Sequence, residues 1–173
     1  MPEPAPGRSC GDCNECCRYY DLMRDFNKPQ GILCSHWKAG TGCSIHATRP
    51  SICRDFYCHW LLNPELDDEW RPDRSGFIIR DTLEDIPPHW PIRQGLVFEL
   101  CGPESAIESE AFLRAVTAQV LTGVPVFLSV HGPMGFGKMT AFLNEILAPA
   151  VAALDAARLA DTLRGTLRDL RAC

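Results

Sequence analysis

Eight of the ten cysteines, Cys10, Cys13, Cys16, Cys17, Cys34, Cys43, Cys53 and Cys58, fall within residues 10–58. The opening run is Cys10-Gly11-Asp12-Cys13-Asn14-Glu15-Cys16-Cys17, two overlapping C-x-x-C steps with a further cysteine attached. In such a step a tight turn aims two thiolates, and often backbone N–H groups, at one ion, and Gly11 and Asn14 are residues that such turns tolerate. The chemistry this predicts is thiolate coordination of a metal. Thiolates suit zinc and iron-sulfur clusters alike, so spacing leaves the two open. Eight thiolates match two all-thiolate zinc sites, or one iron-sulfur cluster and one structural zinc, since each centre takes four protein ligands. The C-x-x-C-x-x-C opening has the spacing of a bacterial ferredoxin run. The fourth cysteine of that run, three residues on and followed by proline, is missing, so Cys34 or a later thiolate would have to complete a cluster. The metal-free alternative is a set of reduced structural cysteines or disulfides.

The vicinal pair constrains the geometry. In a helix, at about 100° per residue, Cys10, Cys13 and Cys17 lie within about 60° of one another while Cys16 stands roughly 100° from Cys17. In a strand the two would point to opposite faces. Either Cys16 and Cys17 serve different metals, or one of them is a supporting or redox thiol. His46 follows Cys43 at x-x spacing and is a candidate ligand or a packing residue. His36 and His59 each flank a tryptophan and are read as surface or packing residues. Arg49, Arg54 and Asp55 are candidates to support an anionic thiolate centre, or else make a local salt bridge or helix start at Pro50.

The second half of the cluster runs from Gly42 to Cys58 as G-C-x-I-H-x-x-R-P-x-x-C-R-x-F-x-C. With the leading C-x-x-C-x-x-C-C and the intermediate Cys34, this resembles the CxxCxxCC cysteine-cluster family (YkgJ-like), described as a zinc- or iron-chelating domain. The resemblance implies metal chelation by the eight cysteines. It covers nothing beyond Trp60.

Composition places these thiols in context. Apolar residues make up 46% of 173 residues and charged residues 23%, a globular composition with enough apolar material for a core. The formal net charge is −5 and the basic residues are scattered, so nucleic acid is not an expected partner. No apolar run approaches the roughly 18–20 residues of a membrane span, and the N-terminus lacks a signal-peptide pattern. The expected location is cytoplasmic, where thiols stay reduced and dense cysteines point to metal or redox chemistry. A metal ion is the expected partner; the sequence names no protein partner. Cys101 and Cys173 stand apart, one read as a small buried residue and the other as a mobile terminal thiol.

The elements that must position the cluster are short. Residues 1–62 are rich in Cys, Gly and Pro and poor in aliphatic periodicity, so coordination has to substitute for burial there. Residues 63–173 read as a small body, forming one compact unit with the first region, and Asn63 to Gly76 reads as its charged connection. Phe77-Ile78-Ile79 and Leu96 to Leu100 read as strands around the loop Ile86 to Pro91. Ser105 to Leu121 is the clearest helix, ending at Gly123, and Val124 to Val130 is a third strand whose Pro125 suits an edge. Met139 to Leu147 and Val151 to Leu170 read as helices meeting at Pro149, the second with a leucine stripe from Leu154 to Leu170. The predicted class is α+β, with an irregular cysteine-rich segment packed on the α+β body.

Gly132 to Thr140 resembles a phosphate-binding loop placed between strand and helix. Met139 occupies the position that needs a hydroxyl, and Thr140 comes one residue late, so a plain glycine turn is the preferred reading. The expected function is thiolate binding of zinc or an iron-sulfur cluster, in a structural or metal-handling role. The rival is an iron-sulfur redox protein or enzyme of unknown substrate, and no catalytic constellation points to a particular reaction.

Overall fold

Glycine, proline and cysteine keep the elements of the first stretch to one or two turns. In the computed structural model, which describes residues 3–132 and 137–172, these are α1 (Glu15–Tyr19), α2 (Met23–Phe26), the hairpin of β1 (Trp37–Lys38) and β2 (Gly42–Cys43), α3 (Ser51–Arg54), α4 (His59–Leu62) and α5 (Pro72–Ser75). The chain is of the α+β class and divides into two compact units, Met1–Ile78 and Ile79–Cys173. The stretch read as a connection carries a 3-10 turn, Asp68–Trp70, as well as α5, and lies in the first unit.

Longer elements appear where the sequence regains periodicity. A four-stranded sheet has the order β3 (Phe77–Thr82), β4 (Gly95–Leu100), β5 (Val126–His131), β6 (Lys138–Phe142). β4 and β5 run parallel, joined through α6 (Glu110–Thr122), and β5 pairs antiparallel with β6. Ser109 caps α6 by accepting from the Phe112 N–H, which starts the helix later than Ser105. Phe112 then packs edge-on against Phe98 of β4, their centroids 5.3 Å apart. α7 (Leu143–Ala152) and α8 (Ala156–Ala172) complete the second unit.

Four expectations are corrected. Residues 138–142 are a strand rather than the start of a helix, held by the register Phe127↔Phe142 through His131↔Lys138. The glycine turn therefore leads from strand to strand, which removes the placement that made it resemble a phosphate-binding loop; residues 133–136 of that motif lie outside the described residues, as does Cys173. β5 is interior, not an edge. Pro125 immediately precedes its first paired residue and contributes a carbonyl to the Leu96 N–H, so its missing donor breaks no ladder bond. Pro149 lies inside α7 rather than in the first turn of α8. Leu154 is not on the stripe: it is 86% exposed with φ +53°, and the buried face of α8 is Leu159, Leu163, Thr166, Leu167 and Leu170.

The second unit also buries charge. Glu99 is 0% exposed, accepts from Arg80 Nε at 2.9 Å and pairs with Lys138. Among the described residues no helix is long and apolar enough to cross a membrane.

Candidate metal centre

The eight cysteines expected as ligands all lie in the first unit, and each is placed by a short element. The Cys13 N–H donates to the Cys10 carbonyl at 2.9 Å, closing a turn in which Gly11 has φ +51°. Cys16 and Cys17 follow on the first turn of α1. Cys34 is buried, and its N–H donates to the Cys17 carbonyl at 3.1 Å. Cys43 stands opposite Trp37 in the β1–β2 hairpin. Gly42 brings that hairpin in: it has φ +76°, and a Cβ there would lie 3.2 Å from the Gly11 carbonyl oxygen. A side chain at 42 would push Cys43 away from the first turn. Cys53 sits on α3 and Cys58 caps α4, its carbonyl accepting from the Leu61 N–H at 3.0 Å.

These segments enclose two cavities. One, of about 30 Å³, is bordered by Cys10, Cys13, Cys16 and Cys58. The other, of about 750 Å³, is bordered by every cysteine of the set except Cys58, together with aromatic side chains such as Tyr20, Phe26 and Trp37. Each described cysteine is a free thiol, and Cys101 belongs to the second unit. Among the described residues no three Cys, His, Asp or Glu side chains stand ready-made as a metal site.

In the metal-free state the pKa values of Cys10, Cys13, Cys16, Cys53 and Cys58 are raised and that of Cys17 is lowered. Burial pushes Cys13 up to about 12, against an opposing backbone N–H from Glu15. Cys53 is pushed up to about 11 by burial and then by negative charge on Cys17, Cys34 and Cys43. Cys16 donates to the Cys17 sulfur; this hydrogen bond raises Cys16 and lowers Cys17 to about 7, with Lys28 and Arg49 also favouring the Cys17 thiolate against its burial.

Lys28 is a part of the site that the sequence did not reveal. It is only 5% exposed, and its ammonium donates to the carbonyls of Arg18 (3.1 Å), Tyr20 and Pro29 (3.2 Å). A backbone bridge between Leu22 and Lys28, closed around α2 by Asn27 at φ +48°, fixes it there. Burial lowers its pKa, and the largest opposing influence is Cys34. In sequence it reads as one polar residue in a turn. Trp60 was equally hidden: it is 5% exposed, borders the small cavity, and its indole N–H has no partner among the described residues.

Of the other candidates, Arg49 binds the chain itself, donating from Nε to the Cys53 carbonyl at 3.1 Å and from Nη1 to the His46 carbonyl at 3.2 Å. It therefore orients α3 while keeping its charge near Cys17. Arg54 and Asp55 form an exposed ion pair at 3.7 Å. His46 is exposed at the border of the wide cavity, its pKa lowered by desolvation and then by Arg49. His36 packs edge-on against Phe26 and also borders that cavity, while His59 Nε2 lies 3.2 Å from the Asn63 amide nitrogen. No family model, curated protein or solved structure matches the chain.

Proposed function

We propose that the first unit binds metal through its cysteine thiolates, as zinc or an iron-sulfur cluster, in a structural or metal-handling role. The observation that carries this is the convergence of eight free thiols from six separate short elements and turns on two cavities of one unit. The donor set suits both metals: soft, numerous, and accompanied by the cations Lys28 and Arg49, which offset the negative charge that metal thiolates accumulate. The resemblance to the CxxCxxCC family points the same way. Free thiols in this number suit a reducing compartment, which agrees with a cytoplasmic location.

Most of these thiols are protonated in the metal-free state, so a metal has to displace their protons, and uptake falls steeply with acidity. A unit built from one-turn helices depends on that bond energy for its order. Anaerobic purification with elemental analysis and visible absorption tests the proposal. Stoichiometric zinc in colourless protein, or iron with acid-labile sulfide in brown protein, is the expected outcome. Folded, anaerobically prepared protein without metal overturns it. The wide cavity favours a second reading, an iron-sulfur redox protein or enzyme, because about 750 Å³ leaves room for a substrate beside a cluster. Oxidation and re-reduction of bound iron without loss of protein fold would support that reading.

A further inference from the structure

The two cavities sort the thiols. Cys58 borders only the small one, whereas Cys17, Cys34, Cys43 and Cys53 border only the wide one; Cys10, Cys13 and Cys16 border both. Size adds a constraint, because about 30 Å³ accommodates one or two water-sized groups at roughly 10–15 Å³ each. A single ion fits such a space and a cluster with bridging sulfides does not. Four thiols surround it, the number that closes a tetrahedral structural site.

Cys16 and Cys17 lie on successive positions of α1, about 100° apart, so one helix can supply a ligand to each side. Each group also has its own distinctive polar neighbour. The small cavity is bordered by Trp60, whose buried indole N–H has no partner among the described residues and is a donor suited to a thiolate sulfur, and the Lys28 ammonium is held on the Arg18 and Tyr20 carbonyls just after Cys17 in the chain.

We infer that the first unit holds two separate four-thiolate centres. Cys10, Cys13, Cys16 and Cys58 bind one divalent ion in the small chamber, with the Trp60 indole donating to a thiolate. Cys17, Cys34, Cys43 and Cys53 form the second centre near Lys28. This rests on the metal-binding reading and adds the ligand assignment. At a centre whose four thiols start protonated, coordination forms four metal–sulfur bonds and releases four protons per ion.

The test loads metal-free protein with Co²⁺ under anaerobic conditions and, separately, with ¹¹³Cd²⁺ for NMR. Two Co²⁺ equivalents with tetrahedral four-thiolate spectra are expected, and two cadmium resonances. Cys58→Ser should alter one resonance and leave the other, and Cys53→Ser should do the reverse. Should either serine variant fold poorly, Trp60→Phe and Lys28→Gln serve instead, each shifting a different resonance. Saturation at one equivalent, or the same resonance altered by Cys58→Ser and Cys53→Ser, overturns the division while leaving metal binding intact. No Co²⁺ or Cd²⁺ uptake at all overturns the metal-binding reading on which the division rests.

Discussion

Replacing Lys28 with methionine tests whether the buried ammonium supports both the fold of the first unit and its chemistry. The substitution keeps an unbranched side chain of similar length and removes one charge and three donors. The carbonyls of Arg18, Tyr20 and Pro29 then lose their partner in a place that is 5% exposed at Lys28. A buried acceptor left unmet costs about 1–3 kcal/mol, and relief of the ammonium's own desolvation returns part of the total. The net expectation is a loss of about 3 kcal/mol. For a unit of this size that corresponds to a midpoint lowered by about 12–24 °C. Hydrogen exchange resolved by peptide is the assay, because it reports residues 3–78 separately from the sheet of the second unit. Competition with a chelator should in addition show Cd²⁺ held about 10–100-fold more weakly, the usual scale for groups that support a ligand shell. Lys28→Arg retains the charge and should recover part of the affinity. Unchanged protection across residues 3–78 together with unchanged Cd²⁺ affinity would refute the reasoning, since both effects come from the same three contacts and the same charge.

In metal-free protein at pH 7, iodoacetamide should modify Cys17 first. Its thiol lies at about 7 and is half ionised there, whereas Cys13 at about 12 has on the order of one thiolate in 10⁵. Peptide mass spectrometry across pH 6–9 should show Cys17 labelling rise through pH 7, and Cys13 labelling ahead of it would contradict the assignment. The raised thiols also set the direction of alkaline stability: above about pH 9 the unfolded chain ionises while folded Cys13 and Cys53 stay protonated, so the metal-free first unit should lose stability progressively toward pH 11–12. Urea midpoints that rise between pH 9 and 10.5 would show the sign to be wrong. Gly95→Ala should destabilise the second unit by about 3 kcal/mol or more, because a Cβ there would meet the Pro125 carbonyl oxygen at 2.5 Å, and metal content should not change. Glu99→Gln strips the counter-charge from Arg80 and Lys138 and should cost about 2–3 kcal/mol, less than a fully enclosed pair because both cations can turn to solvent; a thermal midpoint equal to that of the parent would show the pair to be dispensable.

What the sequence disclosed follows a physical division between local and distant causes. The strands at Phe77 and Leu96, the helix after Ser109 and the leucine face of α8 were legible because periodicity and capping are local. The turn from Cys10 to Cys13 was legible because turn chemistry is local too. β6 was not, since Met139, Thr140, Ala141 and Phe142 run without a break into a helix-forming stretch, and only pairing with β5 makes them extended. The interior place of β5 was hidden in the same way, as Pro125 disfavours a central strand only if it lies within the paired residues. Lys28 and Trp60 could not have been found by pattern: a lysine beside a proline carries the signature of a solvated turn, and burial comes from segments far along the chain.

Arg8 shows how the first unit is fastened. Its guanidinium donates to the carbonyls of Trp60, Asn63 (2.7 Å), Pro64 (3.2 Å) and Leu66, and lies 4.9 Å from the centroid of the Trp60 ring. The Ala5 N–H adds a bond to the Leu61 carbonyl at 2.9 Å. Joining residues 52 apart costs roughly 3–4 kcal/mol of chain entropy. A metal linking Cys10 to Cys58 would close almost the same loop, two residues inside the arginine contact at either end. Whichever closure forms first raises the effective concentration for the other, so metal uptake and the arginine clasp are thermodynamically linked without any change of shape between them. A practical corollary concerns portability. A peptide trimmed to residues 10–58 would keep all eight clustered cysteines and lose this clasp, and should bind metal more weakly than one spanning residues 3–78.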